Sequence, residues 1–372
     1  MQAIDMGAVA SQVLWAAFAL SVVFGAIAQR THFCTMGAVA DIVNIGDWSR
    51  MRMWALAIGV AMLGFNAMVA LGWVEAGNSL YAGPRLTWMS ALVGGLMFGF
   101  GMVLASGCGS KTLVRIGGGN LKSLVVFVVL GLAAFATIKG ITAVARVASV
   151  DRVAVTLNGG QDLPTIAAAA WGIAKTQAAL GLGALLGGAL IVWVLARAEG
   201  RSADVLLGGV GIGGVVAAMW WVSGRLGYVA EDPNTLQQAF VATNSQRMES
   251  LSFVAPVAYT LDWLLFFSDK SKLLTLGIVS TVGVVVGSAA WSLASGSFRW
   301  EGFANAEDTG NHLGGAALMG VGGVTALGCT VGQGLSGVST LALGSFIALA
   351  AIITGAVLAL RYQVWRIDRM DA

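Results

Sequence analysis

The sequence predicts an all-α polytopic membrane protein of about nine transmembrane helices. Three observations predict it. Hydrophobic residues make up 57% of the 372 and charged residues 10%, where a soluble domain carries roughly a quarter charged. Apolar runs of about twenty residues recur, each long enough to cross a hydrocarbon core of roughly 30 Å as a helix. Glycine is abundant, at 52 against 4 prolines, as in membrane bundles with close helix contacts and interrupted helices. The runs are continuous and do not alternate, which disfavours a strand barrel.

The spans read roughly as 7–28, 51–74, 86–106, 121–145, 176–198, 204–223, 273–293, 312–327 and 341–361. The stretch Met1–Ala10 has no basic n-region, so the first run reads as a retained span. The segment 251–267 is apolar but short and holds Pro256 and Asp262. It is expected to be interfacial or re-entrant. Tryptophans 48, 54, 73, 88, 171 and 300 fall near predicted span ends, as interfacial anchors do.

Basic residues follow the first, third, fifth and ninth spans: Arg30, Arg50 and Arg52; Lys111, Arg115 and Lys122; Arg197 and Arg201; Arg361, Arg366 and Arg369. With nine spans these share one side, the cytoplasmic one by the positive-inside rule. The N-terminus is then periplasmic and the C-terminus cytoplasmic. Loop 294–311, with Glu301, Glu307 and Asp308 against Arg299, opposes this weakly.

Two polar, glycine-rich breaks interrupt the apolar pattern. Gly328-Cys329-Thr330-Val331-Gly332-Gln333-Gly334 carries no charge, and Gly107-Cys108-Gly109-Ser110-Lys111-Thr112 occupies the corresponding place earlier. Gly94-Gly95 precedes the first and Gly314-Gly315 the second, with offsets that differ by one residue. Cys34 follows a span more loosely, and Gly208-Gly209 through Gly224-Arg225-Leu226-Gly227 is a fourth, cysteine-free candidate. The third span and the eighth run in opposite directions, so the halves are expected to be inverted repeats. Residues 1–150 form the first, 151–203 a connector, and 204–372 the second. Inverted repeats with broken helices place a site near the midplane.

The three cysteines are far apart, with no CxxC, and suggest neither a disulfide framework nor a zinc site. Re-entrant loops that open short helices aim N–H groups and a positive dipole end at the centre, which favours anions. Thiols add a soft surface that donates S–H weakly. The combination suits a small soft anion, whereas a metal-cation pathway would want carboxylates or histidines in the spans. The plainer alternative is that each cysteine is a small buried apolar residue. Three cysteines, all at helix breaks, weigh against it. No metal or cofactor is expected.

Gln29-Arg30-Thr31-His32-Phe33-Cys34 leading to Asp41, the Gly107-Cys108 break, Gly224-Arg225-Leu226-Gly227, and Leu313-Gly314-Gly315 through Met319-Gly320 to Gly328-Cys329 resemble the YeeE/YedE family of sulfur transporters over nearly the whole chain. The resemblance implies nine spans, an hourglass-shaped inner-membrane protein and thiosulfate uptake. It implies an anion handed along thiols by transient S–H···S hydrogen bonds, here Cys34, Cys108 and Cys329. It also implies a small TusA-like sulfur carrier on the cytoplasmic side. The YedE branch is associated with selenium metabolism, which leaves other sulfur or selenium species as substrates.

Gly107, Gly109, Ser110, Thr112, Gly328, Thr330, Gly332 and Gln333 complete the expected pathway. Lys111 adds electrostatics on the inner side, and Arg225 or Arg30 could attract the anion at a mouth. A topological role serves each of these cations equally well. His32 and His312 read as structural, and Asp41 and Glu301 as holding loop backbone. Two competing readings remain: a membrane sulfurtransferase with a persulfide, for which Cys108 beside Lys111 and Arg115 is the best-placed thiol, and a structural subunit of a sulfur-processing complex. Gly209-Val210-Gly211-Ile212-Gly213-Gly214 satisfies GxGxxG, but inside an apolar span it reads as packing. So do Gly95/Gly99 and Gly283/Gly287. The Ser106–Thr112 stretch lacks the Gly-Lys pair of a phosphate loop. The expected partners are a small sulfur anion, a carrier protein and the lipid bilayer, and no nucleic acid.

Overall fold

In the computed structural model, residues 5–233 and 235–370 are described. The first four residues of the Met1–Ala10 stretch therefore lie outside the described residues. The helices are α1 (Met6–Arg30), α2 (Thr35–Ile45), α3 (Ser49–Ala70), α4 (Trp88–Leu104), α5 (Gly109–Gly117), α6 (Leu121–Lys139), α7 (Ile141–Ala148), α8 (Leu163–Trp171), α9 (Lys175–Leu195), α10 (Ala203–Trp221), α11 (Ala255–Leu265), α12 (Leu276–Ala294), α13 (Ala306–Thr325) and α14 (Leu343–Met370). Two antiparallel ribbons of two residues per strand pair Arg85–Leu86 with Val155–Thr156 and Tyr228–Val229 with Ala239–Phe240.

The fold is the expected all-α membrane architecture. Among the described residues, eight helical stretches are long and apolar enough to cross a bilayer. They contain α1, α3, α4, α6, α9, α10, α12 and α14. The remaining expected span corresponds to α13, which has 20 residues. Glu307, Asp308, Asn311 and His312 make its first two turns too polar to meet the same measure. The segment 251–267 divides in two. Residues 251–254 are irregular and largely buried, and α11 follows with 11 residues. At 1.5 Å per residue that helix covers about half a bilayer, so it does not cross alone.

Glycine sets how closely the helices approach. α1 packs on α12, α10 on α3, α4 on α14, α13 on α6, and α4 on α13. Gly95 and Gly99 lie against the carbonyls of Ala348 and Ile352, and Gly283 and Gly287 against those of Phe18 and Val22. Gly209 and Gly213 rest on Leu56 and Ala57, so the GxGxxG match is helix packing. Between α4 and α13 the contacts are reciprocal. A Cβ on Gly94 would fall 2.7 Å from the Gly322 oxygen, and one on Gly322 would fall 2.6 Å from the Gly94 oxygen. Gly101 and Gly315 repeat this at 2.6 Å in both directions.

Several of the basic residues noted above have partners. Arg52 pairs with Glu199 at 3.4 Å, Lys122 with Asp308 at 2.8 Å and Arg366 with Glu307 at 2.9 Å. Arg30 lies over the Trp291 ring at 5.3 Å. Glu307 and Asp308 of 294–311 are thus partners of cations, while Glu301 accepts from the Asn120 side-chain amide. Hydrogen bonds from Ala304 N–H and Lys122 hold the Asp308 carboxyl below its ordinary range.

One expected anchor is corrected. Trp54 is 3% exposed and stacks on Phe33 at 5.0 Å, with its ring edge against Gly334. It packs between two of the breaks, because α3 turns that side inward. Trp48, Trp73, Trp171 and Trp300 are exposed, as interfacial side chains are.

Candidate functional site: three buried thiols at helix starts

The three breaks share a backbone design. α1 ends at Thr31, α4 at Ala105 and α13 at Ala326. In each case the next residue, His32, Ser106 or Leu327, takes a left-handed conformation with φ of 52°, 54° and 59°. The following amide returns to the helix: Phe33 N–H to Ala28 O, Gly107 N–H to Met102 O and Gly328 N–H to Gly323 O. This is a helix-ending motif usually served by glycine. A side chain there costs on the order of 1 kcal/mol, borne three times at one place in the design.

The cysteine then begins a new short helix. Cys34 is the N-cap of α2 and Cys108 of α5. Cys329 precedes the helical stretch 330–339, whose middle, Gly332–Gly337, is widened into a π-helix. Cys34 Sγ accepts from Gly37 N–H at 3.4 Å, and Cys329 Sγ accepts from Gly332 N–H at 3.4 Å. The amides of Val331 and Phe253 also point at Cys329 Sγ. Cys108 Sγ lies 3.2 Å from Ser110 Oγ. With amide hydrogens on the sulfur lone pairs, the S–H of a neutral thiol is directed elsewhere and remains free to donate.

All three thiols are buried, at 6%, 1% and 0% exposure for Cys34, Cys108 and Cys329, and none is in a disulfide. Cys108 lies within electrostatic reach of both Cys34 and Cys329. Among the described residues no His, Cys, Asp and Glu cluster could hold a metal ion.

The irregular segment before α11 lies between the two glycine-rich loops. Phe253 directs its N–H at Cys329 Sγ. Its carbonyl oxygen would be 2.6 Å from a Cβ on Gly109, and its ring packs on Phe24 at 5.6 Å. Ser252 Oγ and Tyr81 Oη crowd Gly332, at 2.6 and 3.2 Å from the place of its missing Cβ. Ser336 Oγ donates to Leu251 O at 2.7 Å.

The expected residues fall into groups. Gly107, Gly109, Ser110 and Thr112 surround Cys108, and Thr112 Oγ1 donates to the Cys108 carbonyl at 3.1 Å. Gly328, Thr330, Gly332 and Gln333 surround Cys329. Gln333 donates its side-chain amide to Ala326 O, while its Oε1 and Thr330 Oγ1 are buried without partners. Lys111 folds its stem against Gly107 and lies within electrostatic reach of Cys34 and Cys108. Arg225 is not brought together with the thiols. It lines a separate cavity of about 170 Å³ with Glu75 and Tyr228.

A different cavity, of about 200 Å³, leads toward Cys329. Gly328, Leu327, Tyr81 and Ser252 line it, and Arg146 and Glu249 are the charged residues of its lining. Arg146 Nε faces Asp151 Oδ2 at 3.3 Å. Sequence reasoning missed Arg146, Tyr81, Ser252 and Phe253. It also passed over Thr35, whose buried hydroxyl is unpartnered like that of Thr330. The repeated Cys-Thr dipeptide was the available signal.

Fold and site together define a helical membrane protein with three buried thiols at the starts of short helices, beside a cavity lined in part by Gly328 and Arg146. A sequence profile of the family described as sulphur transport matches residues 30–358, and the chain belongs to that family of transporters. It is 27% identical over 341 residues to the thiosulfate transporter TsuA of Escherichia coli K12, covering 89% of each chain. It is 26% identical over 365 residues to the TsuA of Spirochaeta thermophila, covering 92% of this chain and 97% of the other. A shorter match, 34% over 92 residues, relates it to the probable transporter YedE of Escherichia coli K12 and covers 25% of this chain and 21% of that one.

Proposed function

We propose that the protein takes up thiosulfate and passes it from Cys329 to Cys108 and on to Cys34. The observation that carries this reading is the common setting of the thiols, each buried and each opening a short helix, with Cys108 in reach of the other two. Thiosulfate has a sulfonate-like end for N–H and hydroxyl donors and a terminal sulfur that accepts weakly from S–H. Passage needs contacts weak enough to release the ion at each stage. The absence of a charged side chain in the loop around Cys329 suits this, since a cation there would hold the dianion too tightly.

In this reading the basic span ends are cytoplasmic and the cavity with Arg146 opens to the periplasm. The N-terminus is outside and the C-terminus inside, in the inner membrane. Residues 1–150 and 204–372 act as inverted halves about the connector 151–203. The reciprocal contacts of Gly94 with Gly322 and Gly101 with Gly315 support that symmetry. A small TusA-like carrier receives the sulfur on the cytoplasmic face. Arg225 is left out of the pathway, and Tyr81, Ser252 and Arg146 are added to it.

Uptake of radiolabelled thiosulfate into proteoliposomes tests this, with selenium and other sulfur oxyanions as competitors. Saturable uptake that thiosulfate competes best supports the reading. Uptake displaced better by a selenium species assigns the site to that substrate instead.

A further inference from the structure

Thiosulfate is a dianion, and the membrane potential opposes its uptake by about 2.3 kcal/mol for each charge per 100 mV. A carboxylate beside its path would oppose it further. Yet the cavity above Cys329 contains one, Glu249. Glu249 is half-buried between buried Met248 and Ser250, and it lines the cavity. Its Oε1 accepts from Ser245 N–H at 2.8 Å, which fixes the carboxyl in place.

The surroundings of Glu249 are otherwise poor in charge. α7 contributes Arg146, which faces Asp151 and makes no ion pair with Glu249. The loop after α3 contributes Tyr81, and α11 contributes Tyr259. Asp262, further along α11, is paired with Lys272 at 2.6 Å. α12 brings Leu276, Gly277 and Ser280, and α13 with its following turn brings Gly323, Val324, Leu327 and Gly328, none of them charged. No cation lies within ion-pair distance of Glu249 among the described residues. Burial accordingly pushes its carboxyl above the ordinary carboxylate range, the bonds from Ser245 and Asn244 opposing this in part.

Building on the thiosulfate reading above, we propose that Glu249 makes anion binding in the outer cavity proton-linked, so that the cavity takes up the dianion together with one proton. The proton comes from periplasmic water and rests on a Glu249 carboxylate oxygen while the anion occupies the cavity. It returns to water when the anion leaves. The neutral acid removes a repulsion, and linkage requires that an anion placed near a titratable carboxyl raises its proton affinity. Above the pH at which free Glu249 ionises, the affinity for thiosulfate then falls up to about tenfold per pH unit, the limit for one linked proton.

Calorimetric titration of the purified full chain in detergent micelles with sodium thiosulfate tests this. It is run across a pH series and in pairs of buffers of different ionisation heat. The expected wild-type result is weakening toward alkaline pH with uptake of up to one proton per anion. Glu249→Gln should bind with no slope and no proton uptake, near the acid-limit affinity of wild type, and Glu249→Asp should restore a slope. Wild-type binding without a slope, or Glu249→Gln with the wild-type slope, overturns the proposal and leaves the thiosulfate reading intact. No binding by wild type at any pH overturns both.

Discussion

Gly109 and Phe253 meet backbone to backbone at the centre of the molecule: a Cβ on Gly109 would lie 2.6 Å from the Phe253 carbonyl oxygen. Phe253 also directs its N–H at Cys329. One peptide therefore separates the loop of Cys108 from the loop of Cys329, and glycine is what lets the first of them come so close. Gly109→Ala must push the two apart. The expected cost is about 1–3 kcal/mol, as for other overpacked sites, with most uptake lost. Gly214→Ala is the control, since nothing lies within 4 Å of its missing Cβ, and it should be neutral or slightly stabilising. Thermal unfolding in detergent, read beside uptake, separates the two cases.

The reciprocal glycines of α4 and α13 make a second prediction. Gly94→Ala and Gly322→Ala each force the same two helices apart. Once either is present the second meets a gap already widened. The double variant should therefore lose less stability than the two single losses added together, by 0.5 kcal/mol or more. Unfolding of the four-member cycle checks this, and strict additivity would contradict the shared contact.

Arg146 and Arg225 should behave differently. Arg146 lines the same cavity as Gly328, and Arg225 lines a separate one. Arg146→Ala should raise the KM for thiosulfate about tenfold and flatten its dependence on salt, because a screened attraction has been removed. Arg225→Ala should leave both within about twofold. Initial uptake rates at low and high ionic strength decide this.

Stability should depend on pH through Glu249. Its folded value is raised by burial, so between its ordinary value and the raised one the folded state holds more protons than the unfolded. Its contribution is therefore complete below the ordinary value and is lost as pH rises through the folded one. Glu249→Gln should resist alkaline destabilisation better than wild type. Unfolding temperatures measured from mildly acidic to alkaline pH, without substrate, test this.

Much of the architecture was legible in the sequence because membrane spans are local: length and apolarity of one segment settle each. The three thiols were legible because polar, glycine-rich breaks stand out in an apolar chain. Phe253, Tyr81 and Arg146 were not. Phe253 and Tyr81 sit in irregular segments between helices, and Arg146 lies in a short helix just past a predicted span. Phe253 meets Gly109 and Cys329, and Arg146 reaches the cavity only because α7 folds back after α6. Arg225 was legible only as a basic residue at a helix end, which reads equally as a mouth or an anchor. Trp54 misled because closeness to a span end says nothing of which side of the helix faces the bundle.

The central claim is that neutral thiols carry the anion, and one measurement tests it most directly: initial thiosulfate uptake by proteoliposomes containing Cys34, Cys108 or Cys329 changed singly to Ala. The account predicts that uptake falls at least about tenfold for Cys108→Ala and Cys329→Ala, which lose a donor worth on the order of 1 kcal/mol or more in a dry path, with a smaller loss for Cys34→Ala. Wild-type uptake in all three variants would contradict it.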